Sequence, residues 1–195
     1  MNRKAERGQA TRDRLVAVAT RLFAELGYEE TSIEQVLHES EVSRGALYHH
    51  FGSKEALFEA VVEAVEQDIG RRGQAVVAEA SDVPSAIRAA GLAWIQMTGD
   101  RVVQQVLLVD APAVLGWERW RAMDERHTLG QMKAALAVVA QSGRLDPDQV
   151  DLMAYVWIAM MNEIALYIAR AEDGEAARRE GEAVMDTILQ RLLGA

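Results

Sequence analysis

TSIEQVLHESEVSRGALYHHFGSKEAL, residues 31–57, reads as two short amphipathic helices joined by a polar turn, followed at once by the start of a third. Thr31 is placed to cap the first helix, with Glu34 three residues on completing a capping box. Ile33, Val36 and Leu37 give that helix a buried face at helical spacing. After the turn Glu39-Ser40-Glu41, Val42 packs inward and Ser43 caps a second helix, Arg44 to His50, which sends Leu47 and Phe51 to the core. The opposite face offers Arg44, Gly45, Tyr48 and His49. Donors and small residues on the outer face of a short helix suit the major groove of a duplex. Gly45 and Ala46 admit close backbone approach, Arg44 reaches a guanine edge or a phosphate, and Tyr48 donates to a phosphate. Ser53 then caps a third helix with Lys54 in its first turn, which sets a cation beside free backbone N–H groups. On spacing alone, a plain three-helix packing unit with a solvated polar face fits as well.

Residue identity goes further. SRGALYHHFGSKEAL closely resembles the recognition-helix region of TetR-family transcriptional regulators. Leu22-Phe23-Ala24-Glu25-Leu26-Gly27-Tyr28 and Thr31-Ser32-Ile33 also look like that family's first helix and the loop after it. The likeness covers residues 10 to 65. It implies groove contacts from Arg44 and His49, with Ser43 and Gly45 beside them, and phosphate contacts from Thr31, Ser32, Tyr48 and Lys54. It breaks at Ser40-Glu41, where the family has small residues and a glycine. Glycine adopts a left-handed turn without steric cost, whereas glutamate there is strained and sets a negative charge near the DNA.

The 195 residues suit one or two domains. Half of them are hydrophobic, only 6% are aromatic, and there are three prolines, a balance that favours helices. With no cysteine, disulfides and thiolate metal sites are excluded. The N-terminus MNRKAERGQA has no apolar core segment, so no signal peptide is expected, and residues 1–9 read as a flexible arm. The longest apolar run, Leu152 to Met161, is too short to span a bilayer. A soluble cytoplasmic protein is expected, with no membrane partner. Net charge is −9 but unevenly spread: residues 1–54 carry eight basic and eight acidic side chains, and residues 55–195 carry 13 and 22. An acidic body with a basic N-terminal stretch suits a protein that touches DNA at one end only.

Along the chain, Leu15, Val18, Ala19, Leu22, Phe23 and Leu26 mark one face of a first helix ended by Gly27. A longer helix from Ser53 is expected to reach Ala80, weakened by Gly70 and Gly73, each by about 1 kcal/mol relative to alanine. Ser81-Asp82-Val83-Pro84 is the clearest boundary. Helices follow to Gly99, from Val102 to Val109 with a break around Asp110-Ala111-Pro112, from Gly116 to Gln141, from Asp146-Pro147 to Ala171, and from Gly174 to Leu193. The fold expected is all-α with about nine helices. The division expected is a helix-turn-helix DNA-binding domain at 1–52, a connecting helix at 53–80, and a body for ligand binding and dimerisation at 81–195.

In the body, Val150, Met153, Ala154, Trp157, Ile158, Met161, Ala165 and Ile168 cover more of one helix than a single packing stripe needs. With Val184, Ile188, Leu189 and Leu192 they can form half of an intermolecular four-helix bundle or a fully internal pair. The resemblance implies a homodimer through the last two helices. Trp94, Met97, Trp117, Trp120, Met123, Tyr155 and Met160, with the polar Gln96, Gln104, Asp110, Asn162 and Glu163, fit either an apolar small-molecule pocket or ordinary core. Asn162 and Glu163 serve equally as a polar pair at a dimer interface.

No catalytic constellation is present: there is no Gly-x-Ser-x-Gly, His-Glu-x-x-His or phosphate-binding glycine loop. His49 and His50, adjacent on a helix, point about 100° apart and cannot share a metal. No enzyme, cofactor or metal is therefore expected. The resemblance implies a ligand-responsive regulator, a repressor that binds a palindromic operator in double-stranded DNA as a dimer and leaves it when a small-molecule effector binds. The alternative is a dimeric small-molecule-binding protein whose DNA-binding head is weakened or lost, with Glu41 in its favour.

Overall fold

The computed structural model describes residues 3–193, and among them the regular structure is helix throughout. Nine helices follow one another: α1 Arg3–Leu26, α2 Ile33–Ser40, α3 Arg44–His50, α4 Lys54–Val77, α5 Val83–Met97, α6 Val102–Leu115, α7 over 117–141, α8 Pro147–Arg170 and α9 Gly174–Leu193. Two compact units result. One holds the described residues to Val65 with Arg101–Trp120, and the other holds Glu66–Asp100 with the described residues from Arg121.

The first unit is built on an aromatic cluster. Phe23 and Phe58 are fully buried and meet edge to face at 5.0 Å, and Tyr28 stacks on Phe23 at 5.7 Å. Leu15, Ala19 and Leu22 of α1, Val36 of α2, Leu47 of α3, Phe51 at its C-cap, and Leu57, Val61 and Val62 of α4 complete the core. Val103, Val106 and Leu107 of α6 are buried in the same unit. Residues from Arg3 onward that read as a flexible arm are the first turns of α1. Three basic side chains along it serve the unit itself: Arg12 lies over the Phe51 ring at 5.4 Å, Arg14 donates to Ser40 O, and Arg21 pairs with Glu25 and Glu39.

Several helix ends differ from expectation. The cap of α2 is Ser32, one residue later than Thr31. Its Oγ accepts from Gln35 N, while the Gln35 side chain accepts from Ser32 N, so Gln35 and not Glu34 closes the capping box. α4 stops at Val77, short of Ala80. α6 runs through Pro112 to Leu115, because Val102–Asp110 is wound as a π-helix in which Ala111 N–H reaches back to Val106 O. The wider turns make room for a proline that would otherwise break the helix. Gly116, at φ 79°, ends it.

At the C-cap of α2, Glu41 has φ 55° and ψ 27°, the one non-glycine residue at positive φ among the described residues. The strain expected of a glutamate in this turn is present. Glu41→Gly is therefore expected to stabilise the fold by about 0.5–1 kcal/mol, the left-handed penalty less the extra chain entropy of glycine. Equilibrium denaturation measures it, and a destabilised glycine variant would contradict the account.

The second unit buries Ile87 and Ile95 of α5, Leu129, Met132 and Leu136 of α7, Ala154, Trp157, Ile158 and Met161 of α8, and Met185 and Leu189 of α9. Small residues set the helix spacing: a methyl group on Gly91 would run into the Met185 sulfur, and one on Gly181 would sit 2.6 Å from Ile164 Cγ2. Arg88 of α5 and Asp186 of α9 join in a two-pronged ion pair at 2.7 and 2.8 Å. α7 also contains a π-helical turn, Glu125–Leu129, and Gly130 follows it because a Cβ there would lie 2.5 Å from Glu125 O. By length and composition α8 is long and apolar enough to cross a membrane, which its ten-residue uninterrupted run did not suggest. Its inner stripe is spent on the core of this unit instead.

Candidate DNA-reading face and the body helices

Helix α3 owes its orientation to Leu47 and Phe51, both buried, which turn one side of it to the core and leave the other open. Ser43 caps it, its Oγ accepting from Ala46 N at 3.2 Å, and is exposed. Arg44, Gly45, Tyr48 and His49 are exposed as well. A Cβ on Gly45 would meet nothing within 4 Å, so internal packing does not demand glycine there; an outside body approaching the backbone would. His49 and His50 lie edge to face at 5.5 Å. Five of the eight residues expected at DNA thus share one open face, with Ser32, half-buried, at the start of α2.

Thr31 is a correction. It is buried, and its hydroxyl donates to Leu22 O and Gly27 O at 3.2 and 2.8 Å, so it fastens the end of α1 and presents nothing outward. Lys54 is half-buried. Its Nζ lies 4.2 Å from the Tyr28 ring centre and donates to Glu29 O, while Ser53 caps α4 by accepting from Ala56 N at 3.0 Å. A cation and the first turn of α4 do meet here, with the cation held against the segment before α2.

Two acidic residues in this unit have roles the sequence did not disclose. Asp110, grouped with possible pocket residues, accepts from Tyr28 N at 2.8 Å and from Gln105 Nε2 at 3.0 Å. It pins the α1–α2 connection, and burial raises its carboxyl above the usual range. Glu34 binds Arg44 across the helix-turn-helix, Oε1 to Nη2 at 2.5 Å. The hydrogen bond from Arg44 holds the Glu34 carboxyl below its usual range. A ten-residue separation across a turn is invisible to helical periodicity, so the sequence pattern does not show this pair.

The residues proposed for a pocket divide between the two units. Trp94 packs on the core of the second unit and donates from Nε1 to Met161 O at 3.2 Å, next to Asn162, which is half-buried. Met97 is buried. Tyr155 is at the surface with Arg121 and Lys133 over its ring at 5.5 and 4.9 Å. Trp117 and Trp120 belong to the first unit, 5.2 Å apart, with Trp120 buried and Trp117 62% exposed.

The apolar residues of α8 and α9 fall on two sides. Of the residues that suited either an intermolecular bundle or an internal pair, Ala154, Trp157, Ile158, Met161 and Ala165 are buried inside the unit, as is Leu189. The outward stripe of α8 is Leu152, Val156, Ala159, Glu163 and Tyr167, with Val184 exposed on α9. Tyr167 donates to Glu180 at 2.6 Å, joining the two helices along that side. The side chain of Leu192 lies outside the described residues.

Residues 15–61 match the family described as bacterial regulatory proteins, tetR family, and residues 84–192 match the tetracyclin repressor-like, C-terminal domain. The HTH-type transcriptional regulator AcrR of Shigella flexneri is 39% identical over 71 residues, 36% of this chain and 33% of that protein. UidR of Escherichia coli K12, also an HTH-type transcriptional regulator, is 37% identical over 62 residues, 32% of each chain. These matches span about one third of the relatives' length. A TetR-family transcriptional regulator from Pectobacterium atrosepticum superposes with a TM-score of 0.79 at 32% identity, covering 96% of both chains.

Proposed function

Since this chain belongs to the TetR family of DNA-binding transcriptional regulators, we propose that it is a cytoplasmic, non-enzymatic repressor that grips a palindromic operator as a homodimer and lets go when a small-molecule effector binds. The observation that carries the reading is the open face of α3, where Ser43, Arg44, Gly45, Tyr48 and His49 stand together over a buried Leu47. Arg44, at the first position of α3, reads base edges; Tyr48, Ser32 and Lys54 hold phosphates. The apolar outer stripe of α8 and Val184 of α9 supports the dimer, whose two-fold axis sets two reading helices about 34–36 Å apart for half-sites one turn apart. Effector contact is proposed at Trp94, Met97 and Asn162. Release requires the effector to bind the DNA-free state more tightly than the bound one, and DNA and effector then weaken each other by the same factor.

Selection of duplexes from a random pool at moderate salt tests this, with the double variant Tyr48→Ala/Lys54→Ala as control. An inverted repeat enriched by the native protein and lost by the control is expected. Lys54→Ala alone should weaken all sequences alike and lower the salt slope by about one, while Arg44→Ala should also relax a base preference. Equal, sequence-independent losses in both would remove Arg44 as a reader. A second reading, a dimeric small-molecule-binding protein with a weakened head, is favoured by Glu41 at φ 55°; no enrichment at any salt would favour it over the repressor.

A further inference from the structure

We infer that Glu34 is a specificity-determining residue, which positions the Arg44 guanidinium for one base and repels DNA that lacks that base. The inference rests on the proposal that α3 reads DNA.

Arg44 begins the helix that enters the groove, and a free arginine there would sample many rotamers and settle for the nearest phosphate. Glu34 comes from a different helix, α2, so its bond at 2.5 Å fixes the guanidinium against the frame of the whole helix-turn-helix and not merely along α3. Tyr48, one turn further along α3, adds an interaction with the same group. Only Nη2 is engaged with Glu34, which leaves the remaining N–H groups for the paired acceptors of a guanine edge. Both partners are more than half exposed, 56% for Arg44 and 65% for Glu34, so burial does not explain the pair and DNA can approach it. Packing does not demand Glu34 either: the capping role at this helix start belongs to Ser32 and Gln35.

The charge matters as well as the contact. Seated on guanine, Arg44 neutralises Glu34 while reading the base. At a site without guanine, the guanidinium held by Glu34 is kept from turning to a phosphate, and its remaining N–H groups lose water without gaining acceptors, so the wrong sequence is penalised.

Two substitutions separate these effects. Glu34→Gln removes the charge but keeps an oxygen that accepts from Arg44; Glu34→Ala removes both. Each is measured by titration on the selected operator, on random duplex, and on operators altered at the position whose preference Arg44→Ala loses. Circular dichroism confirms folding. Both variants are expected to bind random duplex more tightly. At the Arg44 position, Glu34→Ala should lose preference by roughly two- to fivefold, the worth of an exposed ion pair, and Glu34→Gln should stay within about twofold of the native protein. In an Arg44→Ala background, Glu34→Ala should leave every base preference unchanged. If Glu34→Ala and Glu34→Gln behave identically at that position, or if Glu34→Ala raises operator and random binding by one common factor, Glu34 is a general repulsive charge and the inference fails. A native protein that enriches no duplex overturns the regulator reading itself, and the inference with it.

Discussion

A protein carrying Val156→Asp is expected to be a folded monomer that no longer holds a palindromic duplex. Val156 is 54% exposed in the single chain, between Leu152 at 68% and Tyr167 at 54%, on the side of α8 opposite its buried stripe. Spacings of four, three, four and four residues from Leu152 through Ala159 and Glu163 to Tyr167 keep this stripe on one side of the helix. A two-fold interface is made of the same patch twice, so one substitution buries two carboxylates in it. Desolvating each costs several kcal/mol, and the dimer constant should weaken by at least about a thousandfold. Operator binding then loses the gain from joining two half-sites, about 10²–10⁴ in affinity. Sedimentation equilibrium and duplex titration on the same sample check both, with circular dichroism to confirm the helices. A variant that remains dimeric would move the interface off this stripe.

That face shows where sequence reading stops. The helical pattern of α8 was visible, as were its ends at Asp146-Pro147 and Asp173-Gly174. Its division into an inner and an outer side was not, because Val156 and Trp157 are both apolar and periodicity cannot say which faces a neighbouring helix. The reading head was more legible. Leu47 and Phe51, four residues apart, mark the buried side of α3, and Gly45 and Arg44 then face outward. Polar side chains are the least legible, because their partners are set by the fold. Thr31 and Ser32 are both good caps, and the choice between them turned on Leu22 O and Gly27 O, which only the folded chain brings near Thr31. Asp110 looked like a pocket residue because its partner, Tyr28 N, is 82 residues away. The π-helical turns in α6 and α7 had no clear signal beyond a proline and a glycine that tolerate them.

Removing the guanidinium of Arg121 is expected to cost the second unit about 3 kcal/mol at neutral pH. Asp124 is only 5% exposed, and Arg121 Nη1 reaches its Oδ2 at 2.8 Å. Burial raises the Asp124 carboxyl above its usual range and neighbouring Glu125 adds to this, while Arg121 and a bond from Leu129 N–H pull it down. Arg121→Ala takes away the largest opposing influence and leaves a buried carboxylate with too little compensation, the situation in which breaking a buried pair costs about 3–5 kcal/mol. The loss of Arg121 from the Tyr155 ring adds a smaller amount. The pH dependence follows in sign. A carboxyl whose folded-state pKa is raised binds more protons folded than unfolded, so stability falls as pH rises from the ordinary carboxylate range to the raised value, and levels off above it. In Arg121→Ala that value moves higher still, so the fall continues to higher pH and goes deeper. The gap between native protein and variant should therefore be widest near neutrality and narrow on acidification, once Asp124 is protonated and needs no cation. Adding Asp124→Asn to Arg121→Ala should recover most of the loss at pH 7, since a neutral amide accepts the Leu129 N–H without a buried charge. Denaturant melts of the three proteins between pH 4 and pH 8 decide it. A gap that does not change with pH, or a double variant no better than the single, would mean that Arg121 stabilises this unit by packing alone.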